Sequence, residues 1–253
     1  MKNSLLSQSY WANIQSEEIK LAILPWGATE AHNYHLPYGT DNYETEAIGQ
    51  NSVQLANKSG AKAILLPVLP FGVNTGQSDI KLTINLNPST QKIILEDVIQ
   101  SVKNSGINKF LILNGHGGND FRQILRELGV KFPDMLLATC NWYQSVNKPD
   151  FFENEGDHAD EMETSLMMHI HPEMVHPLNE AGEGKVKKFS IEALNENWAW
   201  AERKWSQVTK DTGIGNPHKA SKEKGENYFN AVCGKISKLI IDFSRIEENE
   251  FYL

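Results

Sequence analysis

The sequence predicts an α/β protein whose mostly parallel sheet is covered on both faces by helices. Two observations carry that reading. Short apolar runs alternate with longer amphipathic ones, and the connections have the length of right-handed crossovers. Strands buried on both faces read as near-continuous apolar runs, as these do. A third observation says where chemistry would lie. Ligands of such sheets bind outside the carboxyl ends of the strands, and two of these runs end in glycine- and histidine-bearing turns.

The elements follow in order. Ile19 to Leu24 reads as a buried strand ended by Pro25-Trp26-Gly27. From Tyr43 to Asn57, Ala47, Ile48, Leu55 and Ala56 suit a helix, stopped by Ser59-Gly60. Ala63 to Leu69 is a second strand. Pro88 fits the first turn of a helix with Ile94, Leu95, Val98, Ile99 and Val102 on its apolar face and Gly106 as its stop. Lys109 to Leu113 is a third strand, followed by a glycine-rich turn. A helix then carries Phe121, Ile124, Leu125 and Leu128 before Gly129, and Met135 to Cys140 is a fourth strand. Residues just after Leu24, Leu69, Leu113 and Cys140 are expected to meet in one crevice. Farther on, Asp157 to Ser165 opens an apolar helical stretch through Met168. Trp198 and Trp205, seven apart, are compatible with one helix face packed in the core or at a subunit interface.

The chain has 253 residues, 40% hydrophobic and 22% charged, which suits a globular protein with a sizeable core. No repeat or Ser/Gly-rich linker divides it, so a single domain over residues 1–253 is expected. Acidic residues outnumber basic ones by 32 to 24, for a net charge of −8, which argues against a general nucleic-acid binder. Cys140 and Cys233 make no disulfide framework and suit a reducing compartment. The amino terminus lacks the apolar core of a signal peptide. The most apolar stretch, Ala63 to Val73, is broken by Pro67, Pro70 and Gly72, far short of the roughly 20 residues that span a bilayer. A cytoplasmic protein with no membrane partner is expected.

Three segments carry candidate chemistry. After the first strand, Gly27 to Asp41 holds Glu30, His32, His35 and Asp41. After the third comes Asn114-Gly115-His116-Gly117-Gly118-Asn119. Later come Asp157, His158, Asp160, Glu161 and Glu163. Imidazole and carboxylate are ligands that zinc and manganese accept. With this many carboxylates the set suits two metals, one shared carboxylate bridging them and a hydroxide between the ions as nucleophile. Simpler readings stand beside this one. Acidic residues at a helix start complement its dipole. The glycine-rich turn could serve only as a turn, or bind phosphate through backbone N–H groups. It lacks the Gly-x-Gly-x-x-Gly spacing and the P-loop lysine, so nucleotide binding ranks low.

Taken in order, these motifs resemble the creatininase (creatinine amidohydrolase) family. They are Leu24-Pro-Trp-Gly-Ala-Thr-Glu-Ala-His32, His35-Leu-Pro-Tyr-Gly-Thr-Asp41, Asn114-Gly-His-Gly-Gly-Asn119, and His158-Ala159 followed by Glu163-Thr-Ser165. A late Gly215-Asn216-Pro217 with Ala220-Ser-Lys-Glu-Lys-Gly225 is similar to the family's carboxy-terminal signature. The resemblance implies a three-layer α/β/α fold, a dinuclear metal site that hydrolyses an amide C–N bond, and assembly as a hexamer. It implies two divalent ions, zinc first, with manganese or iron as alternatives. Carried over by position, Glu30 and His116 bind one metal, His32 binds the other, and Asp41 bridges them. Creatininase itself supplies a glutamate two residues after the histidine matching His116, where this chain has Gly118. Glu163 is assigned in its place.

Creatinine is therefore not the favoured substrate. A small-molecule amide, cyclic or linear, is expected, with a formamide or a short peptide as alternatives and a metal-binding module without turnover as a rival. His158 is the candidate for proton transfer, its alternative being a supporting hydrogen bond. Asn119 and Asp157 are candidates to orient ligands or substrate. His35 and Ser78 are candidates to join or line the site, and Asp79 suits loop hydrogen bonding. Asp160 and Leu82 replace glycines usual in the family and would reshape the pocket.

Overall fold

A computed structural model describes residues 4–252. Four parallel strands, β1 (Leu21–Trp26), β2 (Ala63–Leu65), β3 (Lys109–Asn114) and β4 (Leu136–Asn141), form one sheet in the order β2-β1-β3-β4. Ala22 sits between Ile64 of β2 and Phe110 of β3. The strand order reverses between β1 and β3, so a crevice opens at their carboxyl ends. Five longer helices surround the sheet: α1 (Thr40–Lys58), α2 (Pro88–Asn104), α3 (Arg122–Lys131), α4 (Glu161–Ile170) and α5 (Lys222–Arg245). A two-residue strand, β6 (Ile214–Gly215), pairs antiparallel with β5 (Gly156–His158).

The two-residue strand period sorts the core into two layers. Leu21, Ile23, Leu65, Leu111 and Leu113 pack on one face with Ile48 and Val53 of α1, Met162 and Leu166 of α4, and Val232 and Ile236 of α5. Ala22, Leu24, Trp26, Ile64, Phe110 and Ile112 pack on the other with Leu95 and Ile99 of α2 and Ile124 and Leu128 of α3. The result is helices, sheet, helices, as the sequence leads one to expect.

Element ends differ from the sequence reading for identifiable reasons. β1 runs on through Pro25 and Trp26, because proline loses a donor but keeps its carbonyl. Leu69 N–H donates to Pro25 O (2.9 Å) and Gly115 N–H to Trp26 O (2.9 Å). β2 stops at Leu65, two residues before Pro67, and only an isolated bridge joins Leu69 to Trp26. α1 starts at Thr40, which puts Asp41 in its first turn. α3 continues through Gly129 to Lys131. The expected tryptophan helix face does not form. Trp205 opens a four-residue helix, Trp205–Val208, while Trp198 lies outside any helix and is 74% exposed. Among the described residues, no helix is long and apolar enough to cross a membrane.

Candidate metal centre

The site is assembled where β1 and β3 end. Beyond Trp26 the chain turns at Gly27, runs through Glu30 and His32, and returns to Asp41 at the start of α1. Beyond β3, Gly115 lets the turn lie against α1. A Cβ there would sit 1.7 Å from Thr45 Oγ1 and 2.6 Å from Trp142 Nε1, so only glycine fits. Trp142, which follows β4, donates its indole N–H to Thr45 Oγ1 (3.0 Å) and supports that wall. The Asp160 carboxylate caps α4, accepting from Met162 N (2.9 Å) and Glu163 N (3.1 Å), which places Glu163 in the first turn. Thus β1, β2 and β3 exits reach the site, while the β4 exit supports it from behind.

Each histidine of the site gives one ring nitrogen to a backbone carbonyl and turns the other toward carboxylates. His32 Nδ1–H donates to Glu30 O (3.0 Å), and its Nε2 lies 3.1 Å from Asp41 Oδ1 and 3.9 Å from Glu163 Oε2. His116 Nε2–H donates to Val73 O (3.0 Å), and its Nδ1 lies 2.9 Å from Asp41 Oδ2 and 3.2 Å from Glu30 Oε1. His158 Nε2–H donates to Ala31 O (2.8 Å), and its Nδ1 lies 3.5 Å from Glu30 Oε1. The His158 ring packs against that of His32 at a tilt (centroids 4.2 Å apart) and edge-on against that of Trp205 (4.7 Å).

Three groups of potential ligand atoms result, each within 4.8 Å: Glu30, Asp41 and His116; His32, Asp41 and Glu163; and Glu30, His32 and His158. Asp41 belongs to the first two groups and turns one oxygen to each histidine.

The electrostatics ask for positive charge at the centre. Burial opposes a charged His32, yet Asp41, with Glu163 and Glu30 beyond it, outweighs burial and lifts the ring to about 10. His116 is raised well above its ordinary value in the same way, against burial, by Glu30 and Asp41. Burial lifts the Glu163 carboxyl to about 8, with His32 opposing and Asp160 and Asp41 assisting. The buried carboxylates thus favour positive charge at the imidazole nitrogens that face them. Among the described residues, buried Asp41 Oδ2 has no partner of hydrogen-bond geometry, although His116 Nδ1 is 2.9 Å away. Neutral imidazoles and ionised carboxylates aimed at shared points are the donor set of divalent transition metals. The residues fit such ions.

Other expected residues fall elsewhere. His35 Nε2 bonds Thr164 Oγ1 (2.8 Å), outside the ligand groups, and burial with nearby His32 pushes the ring down to about 4. Asn119 shapes the turn instead of touching a ligand side chain. Its Oδ1 accepts from Val73 N (3.0 Å) and Gln91 Nε2 (2.8 Å), and its Nδ2 donates to Asn114 Oδ1 (3.0 Å). Asp157 is exposed and pairs with Arg203 (3.0 Å). Ser78 is exposed too, and its neighbour Gln77 enters the site, donating Nε2–H to Glu30 Oε2. Asp79 accepts from Ser206 Oγ (2.5 Å). Leu82 is 76% exposed and faces solvent.

A side chain at Gly118 has no room, since a Cβ would lie 2.2 Å from Val73 O and 2.5 Å from His116 Nε2. Sequence reasoning missed Gln77 and the fully buried Glu44. Neither belongs to a cluster or spacing that marks it.

The family model for creatininase (creatinine amidohydrolase) matches residues 7–240. The fold superimposes on a solved protein of Bacteroides fragilis NCTC 9343, assigned to the creatinine amidohydrolases, with a TM-score of 0.93, 42% identity and full coverage of both chains. A creatininase solved with manganese shares the fold at a TM-score of 0.81 and 19% identity, over 96% of this chain and 100% of that one. The mycofactocin precursor peptide peptidase of Mycobacterium ulcerans (strain Agy99) is 26% identical over 160 residues, 60% of this chain. The chain spans 59% of that relative's length. With the family model matched over nearly its whole length, the chain belongs to the creatininase family.

Proposed function

We propose that this protein is a metal-dependent amidohydrolase that cleaves the C–N bond of a cyclic or linear amide other than creatinine. The observation that carries the reading is Asp41, shared between two three-residue ligand groups and offering one oxygen to each. Glu30 and His116 would hold one divalent ion, His32 and Glu163 the other, and Asp41 both, with zinc first and manganese or iron as alternatives. When bound, such a pair polarises a carbonyl and lowers the pKa of water enough for hydrolysis at neutral pH.

The chain's own residues divide the remaining work. His158 is kept from charging by burial and by His32, so its Nδ1 is a free base near neutrality. It would take there the proton that the attacking water gives up as the C–O bond forms, and deliver it to the departing nitrogen as the C–N bond breaks. The Ala31 carbonyl holds the ring in the tautomer that this requires. The crowded Gly118 turn favours Glu163 as the fifth ligand and separates this site from creatininase's own.

A peptide substrate is the second reading, supported by the likeness to a precursor peptide peptidase. We carry homo-oligomeric assembly as a further part of the proposal, since Trp198 and Trp200 leave large apolar surface exposed.

The test is amine release from a panel of cyclic amides, linear amides, formamides, short peptides and creatinine, using chelator-stripped protein before and after zinc or manganese is restored. Metal-dependent cleavage of an amide, with creatinine poorest, is expected. Two bound ions with no cleavage of any member would leave a binding module.

A further inference from the structure

Gln77 ends a short 3-10 turn, Thr75–Gln77, and is 2% exposed. Its Nε2 donates to Glu30 Oε2. We propose that Gln77 is a positioning residue that ties up one oxygen of Glu30, leaves the other as the sole metal-facing atom, and thereby sets how tightly the Glu30–His116 site holds its ion. The inference rests on the two-metal reading above.

The chemistry of the contact has one sense. An ionised carboxylate only accepts hydrogen bonds, so the amide must present its NH2 to Glu30 and turn its oxygen away. Gln77 Oε1 then lies 3.4 Å from Thr83 Oγ1, which can donate to it. Glu30 Oε1, the oxygen that Gln77 leaves free, faces His116 Nδ1 and His158 Nδ1. Among the described residues no such amide donates to Asp41, whose two oxygens face His32 Nε2 and His116 Nδ1. The two carboxylates thus differ in denticity by construction: Asp41 offers two oxygens and Glu30 one.

The loop that delivers the amide is braced on both sides. Asn74 N donates to Asn85 Oδ1 (2.8 Å) and Asn74 Nδ2 to Ile84 O (3.0 Å). Thr75 Oγ1 bonds Glu202 Oε2 (2.8 Å). Gly76 lies so close to the Arg203–Trp205 segment that a Cβ would meet Arg203 O at 2.3 Å and Trp205 Cδ1 at 3.1 Å. Gln77 is therefore pressed onto Glu30 from outside, in a buried setting where water is a poor substitute donor. Outer hydrogen-bond partners of metal ligands typically change affinity by about 10- to 100-fold.

The experiment compares wild type with Gln77→Met, which keeps length without a donor, and Gln77→Glu, which keeps shape and adds an acceptor. Each is loaded with zinc and titrated with EDTA, retained metal being read by plasma mass spectrometry. Cobalt-substituted samples report ligand geometry by visible absorption. Melting of the metal-free proteins reports folding.

The expected result is that one of the two ions leaves each variant at about 10- to 100-fold lower chelator, with the other ion unmoved and the cobalt spectrum changed. Gln77→Glu decides alone if Gln77→Met does not fold. Two ions held by both folded variants as tightly as by wild type, with an unchanged cobalt spectrum, would overturn the role of Gln77 and spare the two-metal reading. A wild type that binds no ion would overturn both.

Discussion

Glu44 lies three residues beyond Asp41 on the same side of α1, and the two buried carboxyls meet opposite fates. Asp41 faces two histidines, whereas among the described residues neither oxygen of Glu44 has a hydrogen-bond partner. Burial, then Glu163, Asp41 and Asp160, raise the Glu44 carboxyl well above its ordinary value, with Lys148 opposing weakly.

An unsatisfied buried polar group costs roughly 1–3 kcal/mol. Glu44→Met, of similar size and without the orphan oxygens, should therefore stabilise the protein by about that amount. Urea denaturation with an unchanged m-value checks it. A loss of stability would mean that a buried partner holds the carboxyl.

The metal-free protein should lose stability as pH rises. His32 is lifted from 6.5 to about 10 and Glu163 from 4.5 to about 8, so over this range the folded chain binds more protons than the unfolded one. The His32 contribution is complete below pH 6.5 and lost as pH rises through about 10, and Glu163 has the same sign from 4.5 through about 8. Bound ions replace those protons. Calorimetry should show Tm falling between pH 6.5 and 10 in the stripped protein and a flatter profile with zinc. Parallel profiles would contradict the site assignment.

Leu82 adopts φ +62°, a left-handed conformation that suits glycine, with its side chain largely in solvent. Leu82→Gly should relieve strain of about 1–2 kcal/mol, less the greater backbone entropy that glycine loses on folding. A net gain of about 0.5–1 kcal/mol is expected from thermal or chemical melting. A net loss would mean that the leucine packs against something in solution, a second subunit among the candidates.

Much of this organisation was legible in the chain because it follows from periodicity. Near-continuous apolar runs mark β1 and β3 as strands covered on both faces, and the Ile94, Leu95, Val98, Ile99 and Val102 stripe marks α2 from its proline onward. Glu30, His32, Asp41, His116 and Glu163 stood out because ligand-type residues clustered at strand and helix ends. Gln77 did not, because a loop glutamine has no pattern. Its contact depends on how the β2 exit folds over the β1 exit, and the neighbouring Ser78 drew notice instead. Trp198 and Trp205 share a heptad spacing that means something only within a continuous helix, which the chain between them does not form. The close fit at Gly118 likewise depends on Val73, 45 residues earlier, crossing above the turn.

The central claim is that two ions share Asp41 and that Glu163 completes the second site. The most direct measurement is metal content by plasma mass spectrometry on protein purified without added metal, wild type against Glu163→Ala. About two equivalents in wild type, falling towards one in the variant, are expected if each ligand group of the site holds one ion. Absence of bound transition metal in the wild type, even after reconstitution with zinc or manganese, would contradict the account.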